Sequence, residues 1–164
     1  MGPLPASRFA AFALSALVAG CASTYRDPSL DENATAPTAR LVIRNQNAVA
    51  VALRTFDDAA SCRKPLLIPD VPLIAAGEEA DVGVPAGREF TFEARTAPPD
   101  SCTAIATFKP EAGKRYLAQI LGSGADCRLN VVRVESVVPP KMVPEPSLRA
   151  RRPAPAGAKA ACDG

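Results

Sequence analysis

Residues 89–95 read Glu-Phe-Thr-Phe-Glu-Ala-Arg, so that Phe90, Phe92 and Ala94 alternate with Glu89, Thr91, Glu93 and Arg95. A period of two belongs to a β-strand with one apolar and one polar face. Just before it, Val82-Gly83-Val84-Pro85-Ala86-Gly87 ends one strand and turns tightly, as proline and glycine favour. Residues 103–109 and 114–121 read as a second hairpin around Pro110-Glu111-Ala112-Gly113. After a loop at 122–126, the valine-rich stretch 127–134 reads as another strand. Residues 40–45 and 49–56 form a candidate first pair around Gln46-Asn47, and a short strand is placed at 66–68 in the proline-containing stretch 57–74. No long stretch repeats at 3.6 residues, and the prolines oppose a helical bundle. Roughly six to eight short strands, with turn signals every 8–12 residues, predict an all-β fold: a small antiparallel β-sandwich.

The two ends differ from this middle. Arg8 precedes an apolar run at 9–19 that only Ser15 interrupts. Such a run, as helix, rises about 16 Å against a hydrocarbon core about 30 Å thick, which fits a signal-peptide core and not a membrane span. It ends Leu17-Val18-Ala19-Gly20-Cys21, which resembles the lipobox of bacterial lipoproteins. The resemblance implies cleavage after residue 20, a diacylglyceryl group on the Cys21 thiol and an acylated (palmitate-class) new amino terminus. Several acyl chains anchor a protein stably to a membrane. Ala22, where aspartate would signal retention, implies the outer membrane, with the protein facing the periplasm. Residues 21–39 are small and polar and read as a flexible tether lifting the domain off the lipid. Residues 139–164 contain prolines, alanines and five basic against two acidic residues, and read as a disordered tail. The sandwich is then expected at 40–138.

Composition narrows the chemistry. The formal net charge is +2 and there is no tryptophan, which argues against nucleic-acid binding. Histidine is absent, which removes the commonest general base and metal ligand. No cofactor motif stands out, so neither catalysis nor a bound cofactor is expected. Beside Cys21 there are Cys62, Cys102, Cys127 and Cys162, an even number in an oxidising compartment, so disulfides are expected. Their spacing lacks the close pairs of a zinc site. Four cysteines allow three connectivities. Cys102 with Cys127 is favoured because both border the strand ending near Leu121, Cys62 with Cys102 is the rival, and Cys162 could staple the tail to Cys62 or bond another molecule.

Residues 82–94 are similar to the strand-turn-strand of PEGA-type and transthyretin-like sandwich modules. The stretch from Phe108 to Tyr116, Phe-Lys-Pro-Glu-Ala-Gly-Lys-Arg-Tyr, resembles a hairpin of many small proteobacterial lipoproteins, with a cysteine on either side of it. These are turn motifs, so they imply a transthyretin- or Ig-like fold and carry no catalytic residue. Glu78, Glu79 and Asp81 read as an exposed polar turn and not as a calcium site. Lys109, Lys114 and Arg115 read as solvated turn residues. Arg149, Arg151 and Arg152 are candidate contacts to an anionic surface. The expected role is a non-enzymatic, lipid-anchored interaction or structural module with an envelope protein or peptidoglycan partner. An accessory lipoprotein of an envelope machine, such as a type VI secretion complex, is the alternative. A small-ligand binder or histidine-free enzyme comes third.

Overall fold

The computed structural model describes residues 23–30, 35–68, 71, 73–96, 101–122, 126–155 and 157–162. Two sheets pack face to face. Sheet I holds β1 (Thr38–Asn45), β5 (Glu79–Pro85), β8 (Arg115–Leu121), β9 (Arg128–Ser136) and β10 (Lys141–Pro144), in the order β10-β9-β8-β1-β5. Sheet II holds β2 (Val51–Asp58), β3 (Arg63–Leu67), β6 (Phe90–Thr96), β7 (Thr103–Phe108) and β11 (Arg149–Arg151), in the order β11-β7-β6-β2-β3, with β4 (Leu73–Ile74) also on β2. The all-β sandwich is as the alternation demands. Its pairs are antiparallel except β1 with β8, which runs parallel.

The pairings differ from those expected. β1 and β2 lie in different sheets, as do β5 and β6, and β7 and β8. The turns at 85–89 and 109–114 therefore carry the chain from one sheet to the other instead of closing hairpins. A Pro-Gly turn fixes a reversal of direction but not the sheet to which the chain returns, and packed sheets lie only about 10 Å apart. The first crossing braces the second, where Gly87 N–H donates to Pro110 O at 2.8 Å, and the second is tied to β1, where Gly113 N–H donates to Thr38 O at 2.8 Å. Gly113 sits at φ 70°, where a Cβ would be strained. β8 and β9 do pair as an antiparallel hairpin, as expected.

Between the sheets lie Phe90, Phe92, Phe108 and Tyr116, with Tyr25 from the amino-terminal segment. Phe108 meets Tyr116 edge-on at 5.1 Å and Phe90 at 6.2 Å, geometries that aromatic pairs prefer. The Tyr116 hydroxyl also accepts from Glu111 N–H at 2.9 Å. The two aromatics of the Phe108–Tyr116 motif thus lock the crossing turn between them.

Both termini are corrections. Within the expected tether, Ser23 O accepts from Leu67 N–H at 3.1 Å and Tyr25 N–H donates to Leu67 O at 2.7 Å. The Tyr25 hydroxyl donates to Gly83 O at 2.8 Å, and Gly83 N–H donates to Asp27 Oδ2 at 2.6 Å. This strap bridges β3 and β5, the two strands at one open side of the sandwich. The expected disordered tail supplies β10 and β11, which form the edge strands at the other side. Between them Glu145 is buried, and its carboxylate accepts from Ser147 N–H at 3.0 Å. Edge strands expose unpaired backbone groups, and a chain with few apolar side chains can still satisfy them. Counting apolar residues misses that source of order.

Candidate functional site

Cys21, the expected lipidation residue, lies outside the described residues. The other four cysteines pair with one another, Cys102 with Cys127 and Cys62 with Cys162, with Cα separations of 5.5 and 5.6 Å. The favoured pair forms, the rival Cys62–Cys102 does not, and the tail is stapled to Cys62. A reactive thiol at Cys62 is thereby ruled out of the folded chain.

The second bridge builds a small core on the outer face of sheet II. Phe56, Cys62, Ile105 and Cys162 are buried there, with Ala161 against them. Thr91 and Glu93, expected on an exposed charged face, are buried beneath it. The Thr91 hydroxyl bonds Ala59 O and Thr107 Oγ1, each at 2.7 Å. Glu93 accepts from Arg54 at 2.7 Å, and Arg95 lies 3.5 Å from its other oxygen. Arg54 stacks over Phe56 at 5.6 Å.

The arginines of the tail have mostly internal partners. Arg149 pairs with Glu89, and Arg151 donates to Ala60 O at 2.8 Å. Both extend from β11 as struts of the sandwich, while Arg152 follows the strand and is exposed. Arg149 is also exposed and Arg151 half-buried, so the expected surface arginines remain at the surface while two of them hold internal partners. Glu79 and Asp81 face Arg44 and Arg40 across β5 and β1, with Asp81 3.1 Å from Arg40. No cluster of metal-ligating side chains occurs among the described residues. No described helix is long and apolar enough to cross a membrane, which says nothing of a β-barrel.

The feature that sequence reading missed is the outer face of sheet I. Val42 and Leu117 are direct partners across β1 and β8, and Leu117 faces Val132 on β9. Val134 pairs with Met142 of β10 in the adjacent row. Val42, Leu117, Val134 and Met142, with Val137 and Pro140 of the following turn, line a groove of about 290 Å³. Met142 is 52% and Val137 67% exposed at its border. The Arg44–Glu79 pair closes one end. Arg115 stands at the other, without an ion-pair partner among the described residues, and opens onto a polar bay of about 430 Å³.

In that bay Arg133 lies between Glu111 at 2.8 Å and Glu135 at 3.5 Å, and Lys141 meets Glu135 at 2.5 Å. The Lys141 ammonium, hydrogen-bonded to Glu135, holds that carboxyl below its usual range, with Arg133 adding to the effect. Both carboxylates in the bay are matched to cations, an arrangement that fixes the surface instead of poising a general acid or base. The signal for this groove was available in the valines and the single Met142 of 131–142. It was obscured by assigning everything past residue 138 to a tail. No protein-family model matches the chain, and no curated protein matches it.

Proposed function

We propose that the chain is a lipid-anchored envelope lipoprotein whose sandwich is a non-enzymatic interaction module. One observation carries the anchor: the four cysteines of the sandwich bond to one another, so Cys21, at the end of a lipobox-like run, has no cysteine of the chain left to pair with. The pairing also supports an oxidising compartment, where such bridges persist. Ala22 supports an outer-membrane address. The open groove on sheet I supports an interaction role. Its apolar floor suits the apolar side chains of a protein segment, and Arg115 at its rim suits an acidic residue beside them.

The test is metabolic labelling with a clickable fatty acid in a bacterial host. Wild type is expected to take up label and float with membranes, while C21S takes up none and is recovered in the soluble fraction. A C21S protein that is processed normally and still floats would sink the reading.

A further inference from the structure

The strap ahead of β1 is held at Ser23, where it joins β3. Thr24 makes a parallel bridge with Leu67, and the Tyr25 side chain behind it is only 9% exposed. Cys21 precedes Ser23 by two residues. Two residues reach at most about 7 Å, and the headgroup layer beside a hydrocarbon core is roughly 5–8 Å deep. Acyl chains on Cys21 would therefore leave the β3 edge no room to stand clear of the headgroups unless the strap peels off.

That edge is suited to the layer. Pro65, Leu67 and Leu73 lie opposite Phe56, Arg54 and Ala52 of β2, so all three share the outer face of sheet II. Leu67 is 45% and Leu73 62% exposed. Arg63 and Lys64 precede them. Lys64 reaches Asp57 at 3.2 Å, and Arg63 has no ion pair among the described residues.

We propose that the β3–β4 edge of sheet II is the membrane-facing surface of the protein. Leu67 and Leu73 enter the interface, and Arg63 and Lys64 meet the phosphates of anionic phospholipid headgroups. This rests on the lipidation of Cys21. It stands the sandwich on its β3–β4 edge, with β10, β11 and much of the groove on the side away from the bilayer.

The chain has no tryptophan, so L67W and V138W each carry a single reporter. Val138 is 88% exposed in the turn between β9 and β10, at the opposite side. The full-length lipidated variants are reconstituted into vesicles of brominated phosphatidylcholine and phosphatidylglycerol. L67W is expected to lose most of its emission and V138W little, and adding R63E/K64E to L67W should restore much of the lost signal. If the protein floats with vesicles but L67W is quenched no more than V138W, the orientation is overturned and the anchor stands. Quenching that ignores the charge reversal overturns the phosphate contacts. A processed protein that carries no lipid and does not float overturns both this surface and the anchor.

Discussion

The two outer faces of the sandwich are covered differently from what their side chains alone lead one to expect. On sheet II the outward positions mix polar Arg54, Thr91, Glu93 and Thr107 with apolar Phe56 and Ile105, and all of these but Arg54 are buried. On sheet I the outward Val42 and Leu117 are buried by their neighbours, yet with Val134 they line a groove that stays open to solvent. Hydrophobicity alone therefore did not decide which face was covered. Connectivity did: β11 pairs with β7 at the edge of sheet II, and the chain beyond it reaches Cys62. An apolar groove left open is the surface on which the proposed contact role can be tested.

The comparison breaks most sharply at the staple. Cys62→Ala/Cys162→Ala opens a bridge between residues 100 apart in sequence. Loop-closure entropy for so long a loop puts the loss at about 4–5 kcal/mol. Urea unfolding of the double variant should show it, and hydrogen exchange should show whether the Thr91 and Ile105 amides lose protection while those of Leu117 and Val131 keep it. Equal loss on both sheets would mean that the bridge stabilises the whole fold and not the cover of one face.

Ile105 tests the same cover from within. It is 2% exposed, on the side of β7 away from the main core. I105A should cost about 2–4 kcal/mol in the same unfolding assay, the range of a buried aliphatic truncation. A cost below about 1 kcal/mol, the range of a surface change, would show that the tail covers the face without packing on it.

How much of this could be read in advance follows from what each signal encodes. Alternation at Phe90, Phe92 and Ala94 found a strand and its inner face correctly, because the core imposes that period directly. It could not tell that Glu93 would be buried, since the cover comes from Cys162 and its neighbours, far along the chain. Pro85 and Gly87, or Pro110 and Gly113, encode a reversal but not the destination sheet. Tyr25 is a lone aromatic among small polar residues, with no period to announce its place in the core. The tail's composition describes side-chain burial, whereas β10 and β11 are held by backbone pairing and by a covalent bond. The groove required knowing that β10 extends sheet I, so it stayed hidden until the tail was placed.

One corner of the sheet I face does have a cover, and it sharpens the contrast. Gly83 lies opposite Arg40, on the outward side of β5, with Asp27 and Ser29 against it. A Cβ there would run into the Asp27 carboxylate and the Ser29 hydroxyl. G83A should therefore lift the strap, at a cost of about 1–3 kcal/mol, and expose the Tyr25 ring, read by its fluorescence. The strap is also sensitive to pH. Burial would push the Asp27 carboxyl up, but hydrogen bonds from the Ser29 hydroxyl and from the Gly83 and Ser29 amides, with Arg40 nearby, outweigh it and hold the carboxyl below its usual range. A lowered folded value means that the stabilisation is fully present above the unfolded value of about 4 and is lost as pH falls through the folded one. Exchange of the Gly83 amide should accelerate below that point, relative to the intrinsic rate, in wild type. In D27N the extra acceleration should be absent.

The smallest expected effect on stability falls on the open face. Met142 is 52% exposed on an edge strand, where truncation leaves no closed cavity. M142S should change unfolding by no more than about 0.5 kcal/mol, as surface substitutions generally do. If the groove is a contact surface, the same change adds a hydroxyl to an apolar patch that a partner must desolvate, and it should weaken photocrosslinking from the groove to envelope proteins in intact cells. R115E should do the same by reversing the rim charge, again with little change in unfolding. The pair of results separates the two faces by kind: on sheet II a substitution is felt in folding, and on sheet I it is felt in association. If M142S and R115E leave the crosslinking pattern unaltered, the open groove is apolar surface without a partner, and the difference between the faces reflects only where the tail could reach.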